Sequence, residues 1–275
     1  MNVGAGLARL SLNQATAGRW SVLEAVEGCA RAGVPGVGLW RAPVAEAGVE
    51  RVAKAVRDAG VRVSSLCRGG FFTTGDSAAE NRRAVDETAA LGADVLVLVC
   101  GGVPPGSRDV AGARARIRDG IAELVPYAES AGVRLGVEAL HPMFCSDRSA
   151  VSTLDLALDL AEPFPADVVG VVVDAYNIWW DPNVHAALSR ASGRILSYQV
   201  SDWVTPLPAG ALEGRALPGD GCVDFRGLGA AVDAAGYAGL VEVEIFNADL
   251  AGRPGEEVLA LVCDRYRTHV VRGDG

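Results

Sequence analysis

Short apolar runs alternate with longer amphipathic stretches along the chain. Eight runs read as buried strands: Ala8–Asn13, Gly36–Trp40, Val61–Cys67, Val95–Cys100, Arg134–Leu140, Val169–Asp174, Ile195–Val200 and Leu240–Phe246. They are short and rich in Val, Leu and Ile, as strands buried on both faces are. The stretches between them place apolar residues three or four apart, and these predict helices. Val22, Ala25, Val26 and Cys29 mark the first. The helices fall at about Ser21–Ala32, Val44–Ala59, Ser77–Leu91, Val110–Ala131, Ser152–Ala161, Pro182–Ala191, Arg226–Ala235 and Gly255–Val271. Several of them close on Ala-Gly or Leu-Gly, as at Gly33, Gly60, Gly92, Gly132 and Gly236. Glycine there supplies the left-handed residue that stops a helix.

Eight strand–helix units in a chain of 275 residues predict an α/β fold, a single (β/α)8 TIM barrel. A doubly wound open sheet would need a glycine-rich phosphate turn after an early strand. The first strand is followed by Gln14-Ala-Thr-Ala-Gly18 instead. No linker or shift in composition divides the chain, so residues 1–275 are expected to form one domain.

Four of the runs carry, at or near their ends, a side chain fit to hold a metal ion. They are Arg134–Glu138, Val171–Asp174, Ile195–Gln199 and Leu240–Glu244. A carboxylate inside an apolar run costs several kcal/mol to bury unless it is paired or coordinated. In a (β/α)8 barrel the strand C-termini meet on one face, where active sites lie. Glu138, Asp174, Gln199 and Glu244 would then share one site. Oxygen donors, mostly carboxylate, suit a hard divalent cation, Mg²⁺ or Mn²⁺ first, with Co²⁺ or Zn²⁺ as alternatives. Taken singly, each residue could equally cap a helix or pair with an arginine.

Composition narrows the function. Half of the residues are hydrophobic, enough for a large core, and the net charge of −9 argues against nucleic acid or an anionic membrane as partner. No apolar run approaches the roughly 20 residues that span a bilayer. No signal-peptide pattern opens the chain, and six scattered cysteines without CxxC read as reduced thiols, so a cytoplasmic location is expected. Lys54 is the only lysine, which argues against Schiff-base chemistry. The only histidines are His141, His185 and His269, too few and too scattered for a His-based zinc centre.

Four segments carry a resemblance to a known family: Gly136-Val-Glu138-Ala-Leu-His141-Pro142, Val173-Asp174-Ala-Tyr-Asn177-Ile-Trp-Trp-Asp181-Pro182, Tyr198-Gln199-Val-Ser-Asp202-Trp203 and Val243-Glu244-Ile-Phe246. The chain resembles the xylose-isomerase-like sugar isomerase/epimerase superfamily, most strongly over residues 134–247. The resemblance implies that Glu138, Asp174 and Glu244 bind a divalent metal together with the residue at position 199. It implies that Glu138 and Glu244 also exchange protons with carbons next to a carbonyl. The family commonly has His where this chain has Gln199, and His where it has Asn177. Gln still offers a carbonyl oxygen, and Gln at this place resembles dehydroshikimate-dehydratase-like members. Asn177 can bind a hydroxyl but cannot carry a proton.

Supporting residues are read with alternatives open. His141 is a substrate contact or a loop histidine held by Pro142. Trp40, Trp180 and Trp203 follow strands, as do Trp179, Phe71, Phe72 and Phe246, and they wall a pocket or close the barrel top. The Gly/Pro-rich stretch Thr205–Asp224 resembles a family loop carrying a substrate-binding arginine near a Gly-Asp-Gly turn. Arg215 would hold a substrate anion or hydroxyl there, or pair with an acid. Asp202 is expected to support Gln199. Arg68, after the third strand, is a weaker anion candidate.

The expected function is divalent-metal-dependent isomerisation or epimerisation of a small polyhydroxy carbonyl substrate. Alternatives are a dehydratase- or cyclase-type lyase on a cyclic hydroxy-ketone, and a non-catalytic barrel subunit. The expected partner is a small-molecule substrate. Relatives of such barrels often pair, so a homodimer is expected.

Overall fold

A computed structural model describes residues 6–75, 77–208 and 210–271. Eight parallel strands close into a barrel. They are β1 (Leu10–Asn13), β2 (Gly36–Trp40), β3 (Arg62–Gly70), β4 (Leu96–Val99), β5 (Leu135–Glu138), β6 (Val169–Asp174), β7 (Ile195–Val200) and β8 (Val241–Val243). Each strand pairs with its neighbours in sequence, and β8 pairs with β1 to complete the ring. This is the (β/α)8 barrel that the alternation predicts. Nearly every strand residue is buried, which is why the strands are continuous apolar runs rather than alternating ones.

Helix ends follow local chemistry. Ser21 and Glu24 form a reciprocal capping box at the start of Val22–Ala32. Gly33, Gly60 and Gly92 stop helices in the left-handed conformation, as expected from the Ala-Gly and Leu-Gly pairs. The stretch expected as one helix over Val44–Ala59 is two, Arg41–Ala47 and Val49–Ala59. Gly48, at φ 89°, breaks it, a backbone state that residues with a Cβ avoid. The last α-helix ends at Arg265 and widens into a π turn over Tyr266–Val270 rather than running to Val271.

Bulges shape the barrel interior. Between β2 and β3 the register passes from Val37 opposite Val63 to Gly38 opposite Ser65, leaving Ser64 as an extra residue. Between β3 and β4 it passes from Cys67 opposite Val97 to Gly69 opposite Leu98, leaving Arg68 extra. No helix among the described residues is long and apolar enough to cross a membrane.

Candidate active site

The barrel's C-terminal mouth gathers acids around one arginine. Glu138 ends β5 and Asp174 ends β6, where Asp174 also caps the short helix Ala175–Ile178 through the Tyr176 amide. Gln199 lies opposite Asp174 in the ladder. Glu244 was expected inside the last strand, but that strand closes at Val243 and Glu244 follows it, its amide donating to Val200. Glu138, Asp174, Gln199 and Glu244 are all buried.

Arg215 reaches into this group from the segment after β7. Its Nη2 lies 2.9 Å from Asp174 Oδ2 and its Nη1 lies 3.4 Å from Glu244 Oε2. Nη1 also donates to Ser201 Oγ and to the Glu244 carbonyl. The guanidinium lies over the rings of Tyr176 and Phe246, at 4.6 and 5.2 Å. Of the two readings open for Arg215, pairing with acids is realised, and those acids are buried ones.

Asn177 joins the first two acids. Its Nδ2 donates to Asp174 Oδ2 at 2.8 Å and to Glu138 Oε1 at 3.2 Å, while its Oδ1 accepts from the His141 amide. A neutral histidine, with one N–H and one acceptor nitrogen, could not donate to both acids and also accept from the amide. Asn here ties β6 to the β5 loop.

These environments set protonation. Burial, and then the negative charge of Asp174, push Glu138 up to about 8, against the pull of Arg215 and Asn177. Burial pushes Glu244 well above the carboxylate range, with Arg215 opposing it. Burial alone would lower Arg215, but Asp174 and Glu244 outweigh it and hold the guanidinium charged. Burial also pushes the Cys67 thiol well up, so it stays protonated.

A second buried network lies beneath, and its acid was not anticipated. Glu242 is fully enclosed inside the barrel. Its Oε1 accepts from Asn13 Nδ2 at 2.7 Å and Gln199 Nε2 at 3.3 Å. Its Oε2 accepts from Ser64 at 2.6 Å and Ser65 at 2.8 Å. Adjacent serines normally face opposite ways along a strand; the bulge at Ser64 lets both reach one carboxylate. Asn13 Nδ2 also donates to Glu244 Oε1 at 3.0 Å, so the two layers are linked. The signal was present: Glu242 and Glu244 are two apart, hence on one face of an extended segment. Gly38 makes room, because a Cβ there would stand 2.3 Å from Glu242 Oε1.

A small cavity of about 40 Å³ opens on the acids. Trp40, Asn177, Arg215, Glu138 and Glu244 line it, together with Arg68 and Arg148. His141, Trp180 and Trp203 do not line it. They form an aromatic cluster, with His141 stacked on Trp203 at 4.8 Å and edge-on to Trp180 at 5.5 Å. His141 Nδ1 accepts from the Met143 amide, and burial lowers the ring's pKa. Asp202 does not support Gln199. Its carboxylate accepts from the amides of Trp203, Gly219, Gly221 and Val223, clamping the Gly-Asp-Gly turn that follows Arg215. Its position beside three unpaired loop amides explains the change, since a carboxylate satisfies several such donors at once.

The donor set fits a hard divalent cation in kind. Gln199 Oε1 is buried and has no hydrogen-bond partner, a costly state for an amide oxygen. Asp174 and Glu244 share the guanidinium of Arg215, and Glu138 makes no ion pair among the described residues. As arranged around Arg215, no three His, Cys, Asp or Glu among the described residues are gathered closely enough to hold an ion by themselves. A cation at this place would draw on Gln199 as well, and on carboxylate oxygens now paired with Arg215.

Sequence comparison agrees with this architecture. The profile of the xylose isomerase-like TIM barrel family matches residues 26–268, and the chain belongs to that family. The solved structure of protein SMc04130 from Sinorhizobium meliloti 1021 superposes with a TM-score of 0.92 at 42% identity, covering 96% of this chain and 98% of that one. A 3-dehydroshikimate dehydratase of Pseudomonas aeruginosa is 28% identical over 208 residues, 69% of this chain and 30% of that protein. An inosose isomerase of Bacillus subtilis is 28% identical over 145 residues, 51% of this chain and 50% of that protein. The matches thus span half or less of these curated relatives' length.

Proposed function

We propose that the protein moves a proton next to a carbonyl on a small polyhydroxy substrate, as a divalent-metal-dependent isomerase or epimerase. The observation that carries this reading is the pair Glu138 and Glu244 in one cavity, both with raised pKa. Carboxyl groups tuned toward neutrality can both give and take protons at physiological pH. One of the pair removes the proton from the carbon beside the carbonyl, and the other returns it. Return to the opposite face gives an epimer, and return to the neighbouring carbon gives an isomer. Asp174 and Gln199 would help the two glutamates hold the cation. When bound, a hard divalent ion would polarise the carbonyl and stabilise the charge that grows on its oxygen. Arg215 adds a fixed positive charge to the same region, and Trp40, Phe144 and Phe246 give the cavity apolar walls. The curated relatives that act on inosose and on 3-dehydroshikimate point to cyclic polyhydroxy ketones as the substrate class.

A second reading is a dehydratase-type lyase. It is favoured by Gln199 standing where relatives commonly have His, and by the match to a 3-dehydroshikimate dehydratase over 69% of this chain. The same proton abstraction would then expel a β-hydroxyl. A non-catalytic subunit is disfavoured, because four enclosed acids are costly to keep without a use.

Incubation of the Mn²⁺-supplemented protein in D₂O with an inosose, and separately with 3-dehydroshikimate, tests the proposal by NMR. Deuterium at the carbon beside the carbonyl, lost in Glu138→Gln and Glu244→Gln, is the expected result. No exchange with either ketone overturns it. A conjugated, UV-absorbing product formed with loss of water selects the lyase.

A further inference from the structure

Four arginines surround the site, and they differ in one respect. Arg215 is paired with Asp174 and Glu244, and Arg41 with Glu80 and Glu87. Arg68 and Arg148, both half-buried and both lining the cavity with Glu138 and Glu244, have no carboxylate partner among the described residues.

Their placement is built. Arg68 is the extra residue of the β3–β4 bulge, and such bulges commonly re-aim a side chain beside a site. Its guanidinium lies 4.0 Å from the centre of the Phe71 ring, and that of Arg148 lies 6.0 Å from Phe144. Phe71 and Phe144 pack in one apolar cluster with Val99 and Leu140, so both charges stand over one apolar patch. Arg68, with Trp40 and Cys67, also lines an adjoining cavity of about 620 Å³. Burial holds Arg68 below its ordinary pKa, and the like charges of Arg148 and Arg41 add to that effect, against the pull of Cys67 and Glu138. Two half-buried cations over an apolar patch, neither in an ion pair among the described residues, would be stabilised by an arriving anion.

We propose that Arg68 and Arg148 form a carboxylate-binding subsite, so that the substrate is a polyhydroxy carbonyl compound bearing an acid group. A planar carboxylate matches guanidinium donors and suits a narrow space between rings. The ketone of the same molecule would then face Glu138 and Glu244, which line the same cavity. This inference rests on the proton-transfer reading of that pair for its account of turnover, but its binding step is tested separately.

The probes are quinate, its methyl ester and myo-inositol 1-phosphate, titrated against the Mn²⁺-supplemented protein with tryptophan fluorescence as readout. Quinate is expected to bind about tenfold tighter than the ester, a difference of about 1.4 kcal/mol. Arg68→Gln and Arg148→Gln should each shrink that ratio without altering Mn²⁺ binding measured by calorimetry. Equal affinity for acid and ester, a ratio unmoved by both substitutions, no binding of quinate, or tighter binding of the phosphate would each overturn the subsite. Failure of deuterium exchange with the acid–ester ratio intact would remove the proposed reaction and leave the subsite standing.

Discussion

Arg215 Nη2 lies 2.9 Å from Asp174 Oδ2, and both side chains are almost completely enclosed. The chain has thus built its own cation into a cluster of acids, on a short strand, Arg215–Ala216, that pairs with Asp202–Trp203 outside the barrel. The pair is the electrostatic centre of the mouth, because Glu244 and Glu138 feel the same guanidinium.

Removing that cation should be costly. Arg215→Met leaves Asp174 and Glu244 buried without their cation, with only the neutral donors Asn177, Tyr176 and Asn13, and breaking a buried pair this way costs about 3–5 kcal/mol. Urea unfolding of the metal-free protein measures it. A loss below about 1 kcal/mol would mean that the pair is not formed in solution.

Asn177 makes a second prediction. Asn177→Asp replaces the donor between Glu138 and Asp174 by a third acid. Two hydrogen bonds are lost and like charges are brought together, so stability at pH 8 should fall by about 2–4 kcal/mol, and by less at pH 5, where the added group is partly protonated. Thermal unfolding at the two pH values reads the difference.

The pH dependence of the unmodified, metal-free protein follows from Glu138. Its carboxyl titrates at 4.5 when unfolded and near 8 when folded. Between those values the folded state holds a proton that the unfolded state has lost. The contribution is therefore complete below pH 4.5 and is lost as pH rises through about 8. Stability should decline across that window by up to about 1.4 kcal/mol per unit from this group. Divalent cation affinity should move the other way, rising with pH as protons leave the ligands. Denaturant titrations with EDTA, and Mn²⁺ titrations at matched pH, give the two slopes.

Gln199→His would introduce a nitrogen donor among oxygens. The ratio of Zn²⁺ to Mn²⁺ affinity should rise several-fold, since imidazole suits zinc better than a hard ion. Competition between the two ions, followed by Mn²⁺ electron resonance, measures the change. An unchanged ratio would place Gln199 away from the ion.

The barrel was legible because both of its signals are local. Strand runs such as Val169–Asp174 and Ile195–Val200 coincide with the observed β6 and β7. What sequence spacing missed depends on where chains cross in space. Glu242 sits two residues before Glu244, but its partners Ser64 and Ser65 become reachable together only through a bulge. Asp202 follows β7 as a ligand's neighbour would, yet three-dimensional proximity gives it to the Gly219–Gly221 turn. Trp180 and Trp203 do follow strands as read, but Trp203 stacks on His141 and Trp180 meets it edge-on, and neither lines the cavity that Trp40 lines. Arg148 carries no motif at all; the cavity alone brings it to Arg68.

The central claim is that these acids and Gln199 hold a divalent cation beside two proton-transferring glutamates. Calorimetric titration of the metal-free protein with Mn²⁺, repeated on Asp174→Asn and Glu244→Gln, tests it most directly. The account predicts one ion bound per chain in the unmodified protein and affinity reduced by at least about tenfold in each variant, with circular dichroism unchanged. No binding by the unmodified protein, or undiminished binding by both variants, would contradict it.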